Sequence, residues 1–272
     1  MANLTTLLTN NEYRAQKGIS KSELDLAHQS VALLEWNKNN PAPGSESVDL
    51  GTHIHCALLE PDVFDREYIK VPDFDNNKAG REKRDAFIER IGDSKIVLDT
   101  ETYLQVCAMR DSALHHPVAK MLLTSKGISE ASIFGEITIS DGTKMRVKAR
   151  PDRIVDHSVF NQHILIDVKK CASIDEFAKS VIGFRYNVQQ AFYSDIYEQY
   201  SGHKPRFIFI VVGEKRAIGR HPVRVWELPD RIVDIGRSDY LSDLELVREY
   251  EEFGCGLDVE QLFIPEYLMR KS

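Results

Sequence analysis

"HILIDVKK", residues 163–170, is the stretch on which the reading of this chain turns. Leu165, Ile166 and Val168 give it the look of a buried β-strand, yet Asp167 and Lys169 stand two residues apart inside it. Side chains of a strand alternate between its faces, so the acid and the base point one way while Ile166 and Val168 point the other. Such a pair is either a local salt bridge or half of an active site.

The surrounding chain narrows the choice. Its 272 residues are 42% hydrophobic and 28% charged, which fits an ordinary globular protein and leaves room for one large domain or two small ones. No stretch approaches the roughly 18 uninterrupted apolar residues of a membrane span. The start, "MANLTTLLTNNEYRAQ", has neither a basic beginning nor a long apolar core and does not read as a secretory signal. Cys56, Cys107, Cys171 and Cys255 form no CxxC pair. That argues against a disulfide framework, a zinc knuckle or an iron–sulfur cluster, and fits a reducing cytosol. A net charge of −7 argues against a protein that coats itself with nucleic acid, but the bases are clustered. Lys144, Arg146, Lys148, Arg150 and Arg153 are interrupted by one acid, Asp152, and Lys215, Arg216, Arg220 and Arg224 make a second run. The common reading of each run is a solvated strand face; two of them flanking a candidate site favour a polyanionic substrate.

Ser20 with Glu23 makes a capping box that opens a short helix, and residues 38–47 read as a loop. Leu50, Ile54, Leu58 and Leu59 recur at helical spacing up to Pro61, which places His55 on a helix. Residues 72–84 are polar and charged and read as a mobile excursion, followed by a helix from about 100 to 125. "ASIFGEITI", "TKMRVKARPDRIV" and "HILIDVKK" then read as three consecutive strands, the first two joined by a turn at Asp141 and Gly142. Ser173 and Glu176 suggest a second capping box opening one long helix that ends at Gly202. Two more strands, "RFIFIVVG" and "HPVRVWELP", and an acidic helix over about 229–254 complete the chain. The pattern predicts an α/β fold of the α+β type, a mixed central sheet flanked by helices, in one domain over 1–272 with its core at about 11–228.

Asp152 precedes Asp167 by 15 residues. If their strands pair as a hairpin around "DHSVFNQ", the two carboxylates come alongside one another. Two carboxylates with a lysine suit a Mg²⁺ ion, whose hard oxygen ligands leave room for waters and phosphate oxygens. Such an ion polarises a phosphodiester and acidifies bound water, and the lysine can orient or deprotonate the nucleophile, so hydrolysis of a phosphodiester is the expected reaction.

"RPD" followed by "DVK" is the pattern of the PD-(D/E)xK nucleases. "GTHIHCALLEP" resembles the GTxxHxxxLEP segment of the RecE-type 5′ to 3′ exonucleases (exodeoxyribonuclease VIII), and "YNVQQAFYSDIY" resembles their YxxQxxFYxxxY helix. "GISKSELD" and "GRHPVRVW" are similar to further segments in the same order, so the likeness runs from roughly Asn11 to Leu228. It implies a PD-(D/E)xK nuclease core in which His55, Asp152 and Asp167 hold the metal with the carbonyl of Val168, and Lys169 is catalytic. Tyr186, Gln189 and Tyr193 share one helix face. The resemblance lays that face against the site, with Gln189 nearest the scissile phosphate. Glu130 takes a supporting place, and Arg150 and Lys170 are expected to meet DNA. His53 and Gln190 are the rivals one step out of register. The family usually has small hydroxyl residues after the lysine, where this chain has Lys170 and Cys171.

The activity implied is a Mg²⁺-dependent exonuclease, with Mn²⁺ able to substitute, acting on double-stranded DNA ends. It would leave 3′ overhangs for a single-strand annealing partner of RecT type and work as a homo-oligomeric ring away from membranes. Two other readings keep the fold: an endonuclease, and a module that binds DNA or a protein without cutting. The presence of Asp152, Asp167 and Lys169 together argues against the last.

Overall fold

The strand expected at 163–170 is buried on both faces, and its two sides belong to different hydrophobic cores. The computed structural model describes residues 2–6, 8–40, 50–254 and 262; most of the loop expected at 38–47 lies outside them. In chain order the elements that shape the molecule are β1 (Asn3–Thr5), α1 (Lys21–Gln29), α2 (Leu50–Leu59), α3 (Thr100–His115), β2 (Gly127–Ser129), β3 (Ser132–Thr138), β4 (Lys144–Ala149), β5 (Arg153–Val155), β6 (Ile164–Cys171), α4 (Tyr186–Ser201), β7 (Arg206–Gly213), β8 (Val223–Trp226) and α5 (Asp230–Phe253).

Five strands form a mixed sheet in the order β8-β7-β6-β5-β2, with β6 and β7 parallel and the other neighbours antiparallel. Its central strands are largely apolar because helices cover both faces, with Asp167, Lys169 and Lys170 of β6 among the exceptions. Phe207, Phe209 and Val211 of β7 join Leu165 and Cys171 of β6 in a core closed by α4 and α5. Ile208, Ile210 and Val212 join Ile164, Ile166 and Val168 in a second core beneath α2 and α3. Asp167 falls in the row of Leu165 and Cys171 and is fully buried. The acid therefore occupies a place that burial alone would give to Val or Ile.

A second sheet, β1-β3-β4, stands beside the first. The chain passes between the two sheets twice, at Glu130–Ala131 and at Arg150–Asp152. The segment "TKMRVKARPDRIV", expected as one strand, is thus β4 and β5 in different sheets. Pro151 has no N–H to give a ladder, and the pairing stops there.

Other boundaries move for similar reasons. The helix expected at 100–125 breaks after His115, and His116 caps a separate helix, Pro117–Thr124. The long helix expected from Ser173 is a 3₁₀ turn (Ile174–Glu176), a short helix (Phe177–Gly183) and α4, separated by Arg185 at φ +54°. Ser173 makes no side-chain cap. The excursion expected at 72–84 runs into a capped helix, Lys78–Ile91, whose Lys, Arg and Glu residues have good helical propensity without an apolar stripe to announce it. Pro61 also opens a helix, Pro61–Glu67, as its preset φ suits a first turn. The capping box at Ser20 and Glu23 forms as expected.

The helices α4 and α5 touch backbone to side. A Cβ on Gly236 of α5 would lie 2.4 Å from the backbone carbonyl of Asn187 in α4. Replacing Gly236 by Ala would gain up to about 1 kcal/mol of helix propensity. The overlap is with backbone, which cannot rotate away, and overpacking of this kind costs about 1–3 kcal/mol. Gly236→Val should therefore lower the urea midpoint clearly and Gly236→Ala more mildly; an unchanged midpoint in both would show that the helices separate freely.

Candidate active site

Antiparallel pairing sets Arg153 of β5 opposite Ile166 of β6, so Asp152 comes beside the middle of β6. One Asp152 carboxylate oxygen accepts from the Val168 N–H at 2.6 Å, and the Asp152 carbonyl accepts from the Glu130 N–H at 3.0 Å. Glu130 sits at φ +53°, an uncommon conformation for a residue with a Cβ, at the point where the chain leaves β2 for the second sheet. The two crossings between sheets thus lie side by side and each delivers a carboxylate.

The third contributor comes from α2. His55 projects from its half-exposed side, and Nε2 lies 2.6 Å from the Val168 carbonyl, so that nitrogen carries the proton. Nδ1 is left 3.6 Å from the Asp152 carboxylate. One ligand atom each from His55, Glu130 and Asp152 lie within 4.8 Å of one another. His53, the rival, turns into the second core, with Nδ1 3.3 Å from the Tyr68 hydroxyl.

Asp167 lies behind this cluster on the α4 side. Gln189 donates to its Oδ1 at 2.5 Å, and the Lys169 ammonium pairs with Oδ2 at 2.8 Å. The Lys169 ammonium also stands over the Tyr186 ring at 4.6 Å. Burial pushes the Asp167 carboxyl up to about 6, with the Asp152 charge adding to it and Lys169 opposing. Burial and the neighbouring Asp152 push Glu130 up to about 7. Burial works against the Lys169 ammonium, but the Asp167 and Asp152 carboxylates outweigh it and hold the group above the usual lysine range. The Tyr193 phenol, facing Asp167, Asp152 and Glu130, is raised well above its ordinary value by burial.

This is an environment short of positive charge. A divalent cation fits it: two carboxylates and an imidazole converge, with the Asp167 carboxylate behind them. His55 and the Val168 carbonyl, both expected on the metal, bond to each other in this structure.

The structure brings together His55, Glu130, Asp152, Asp167, Lys169, Gln189 and Tyr186, and takes other expected residues elsewhere. All three nitrogens of the Arg150 guanidinium are spent internally, on Ser132, Asn10 and the Leu8 carbonyl, with the group stacked over Tyr13. The expected DNA contact is replaced there by a staple for the N-terminal segment. Lys148 donates to the Arg14 and Gln16 carbonyls, and Arg153 to Ser129 and the Ser125 carbonyl. The first basic run is therefore mostly internal fastening and not a continuous phosphate track. Lys170 turns away from Lys169, as strand alternation requires, and pairs with Glu214 at 2.7 Å. Glu130, given only a supporting place from sequence, is an equal member of the cluster. Its one sequence signal is an acid just ahead of the strand "ASIFGEITI", and its unusual backbone is invisible there.

The family described as a PDDEXK-like domain of unknown function (DUF3799) matches residues 20–252. Among solved structures, a candidate exonuclease from Eubacterium rectale superposes with a TM-score of 0.61 at 12% identity, over 97% of this chain and 98% of that one. At that identity the likeness speaks for the fold alone. A second structure, that of SSO0001, covers 70% of this chain and 84% of that one at 16% identity, with a TM-score of 0.30 that carries no argument. No curated protein matches the chain.

Because the folded-state Asp167 carboxyl is raised, its contribution to stability is present below about pH 4, where both states are protonated, and is lost as pH rises through about 6. Neutral Asn in its place escapes that loss. In EDTA the melting temperature of the parent should fall relative to that of Asp167→Asn as pH rises from 4 to 7.5, whatever the offset left by removing the partner of Lys169. A difference that does not change with pH would show that the Asp167 carboxyl is not raised.

Proposed function

The chain belongs to the PDDEXK-like domain family, and on that premise we propose that it is a metal-dependent nuclease acting on DNA. The observation that carries this reading is the convergence of His55, Glu130 and Asp152 within 4.8 Å beside the buried Asp167 and Lys169 pair. Among the described residues no other group of three or more His, Cys, Asp or Glu side chains converges in this way.

Glu130, Asp152 and His55 would hold the ion, with the Asp167 and Lys169 pair beside it. When bound, a Mg²⁺ or Mn²⁺ ion would neutralise phosphate charge and make hydroxide available near neutral pH. The chain's own groups supply the rest. Asp167 and Asp152 keep Lys169 protonated, so the ammonium serves as a donor, orienting the attacking water or stabilising charge on a phosphate oxygen. Gln189 fixes the Asp167 carboxylate through Oδ1 while Lys169 holds the other oxygen. Tyr186, beneath the ammonium, restricts where Lys169 can swing.

Within this reading we favour a 5′ to 3′ exonuclease on double-stranded ends, producing 3′ overhangs. The order of segments shared with RecE-type enzymes supports it, and with it a ring of copies and an annealing partner of RecT type. The four bases Lys215, Arg216, Arg220 and Arg224 are exposed on and beside the turn between β7 and β8, where phosphates could meet them. No described helix is long and apolar enough to cross a membrane.

The test is a gel assay on linear duplex labelled at either end and on a closed circle, with Mg²⁺ and with EDTA. Release of the 5′ label in Mg²⁺ alone, with the circle intact, is expected. A nicked or linearised circle would make the enzyme an endonuclease, and no metal-dependent product would remove the nuclease reading. Lys169→Ala should reduce cleavage by at least about 100-fold, the scale of a lost transition-state donor, while duplex binding at low salt stays within about twofold of the parent. Full cleavage by that variant would remove Lys169 from the site.

A further inference from the structure

The junction between the helix Phe177–Gly183 and α4 is held by an unusual number of polar contacts. Arg185 sits at φ +54°, a strained conformation for a side chain of its size. Its guanidinium reaches Asp25 of α1 at 3.1 Å and also bonds to the buried Asp243 of α5. Lys21 of α1 donates to Asp25 at 2.5 Å and to the Phe184 carbonyl at 2.8 Å. Two helices, α1 and α5, thus fix a single bend.

What the bend presents is apolar. Phe184 is 63% exposed and Ile182 57% exposed, whereas most of the neighbouring aromatics, Phe177 and Phe209 among them, are buried. Rigidly holding two large apolar side chains in water contributes nothing to the core, and an exposed apolar patch beside a polar rim marks a binding surface. Its location indicates what binds. Phe184 and Ile182 line one cleft of about 630 Å³ together with Lys169 and Gln189. The Phe184 ring lies 5.7 Å from that of Tyr186, which in turn supports the Lys169 ammonium at 4.6 Å. The patch is therefore continuous with the candidate active site. An exposed ring can stack on the free face of an unpaired base, whereas a base inside a duplex is already stacked on its neighbours.

We propose that Phe184 and Ile182 form a stacking platform for an unpaired nucleobase of the strand whose phosphate lies at Lys169. An aromatic face accepts any base, which suits an enzyme that must cut without regard to sequence. The platform rests on the nuclease reading for its role, but stacking can be measured without cleavage. Both side chains are exposed, so their replacement leaves the packing intact.

The probe is a short single strand with phosphorothioate linkages and 2-aminopurine in place of adenine, titrated with the full-length protein in Mg²⁺. The parent should quench the 2-aminopurine fluorescence. Phe184→Ala should lose the quench and bind at least about fivefold more weakly, the lower end of the effect of removing one stacked base, while Phe184→Tyr retains both. An equal quench and affinity in Phe184→Ala, or no quench by the parent, would overturn the proposal. So would a Phe184→Ala variant that quenches like the parent but sediments at a different mass, which would assign the patch to contact between copies. A parent that quenches yet releases no label from linear duplex in Mg²⁺ would leave the platform standing and remove the nuclease reading instead.

Discussion

A carboxylate enclosed at the centre of a two-sided sheet is the constraint around which this molecule is arranged. Asp167 shares a row with Leu165, Lys169 and Cys171 and is sealed by α4. A charge in such a place is costly unless it is paired and hydrogen-bonded. Gln189 and Lys169 meet that need, one at each oxygen. Sequence, fold and site meet in that one buried carboxylate.

The remaining site residues follow from how two sheets are joined. Because β2 runs into β3 and β4 into β5 at adjacent crossings, Glu130 and Asp152 are brought together by backbone rather than by side-chain reach. The left-handed Glu130 and the proline at Pro151 are local features that would be unfavourable inside a regular strand. They are tolerated where the surrounding ladders fix the chain on each side. With α2 adding His55, three carboxyl groups stand against one lysine and one imidazole. Electrostatics then favour an added cation, and burial raises the benefit of each charge that is neutralised.

Much of this was legible in the sequence, and the parts that were not share a cause. Alternation in "HILIDVKK" and the continuous apolar run of "RFIFIVVG" fix the central strands, since burial on both faces leaves little choice of residue. The helix of His55 and the face shared by Gln189 and Tyr186 follow from helical spacing. Glu130 was underrated because its place depends on a backbone angle that no periodicity encodes. Arg150, Lys148 and Arg153 look like a phosphate track in a linear reading, but their partners at Leu8, Gln16 and Ser125 are set by tertiary contact. The break at Arg185 is hidden for the same reason: its clamp joins residues from two distant helices.

The central claim is that the cluster of Glu130, Asp152 and His55 is a metal site serving Asp167 and Lys169. A crystal of the protein soaked in Mn²⁺, recorded at a wavelength where manganese scatters anomalously, tests it most directly. The account predicts one strong anomalous peak within bonding distance of the Asp152 and Glu130 carboxylates, at about 2.0–2.6 Å for oxygen ligands of a hard cation. A fully occupied peak elsewhere, with Asp152 and Glu130 unchanged around a dry cluster, would contradict it.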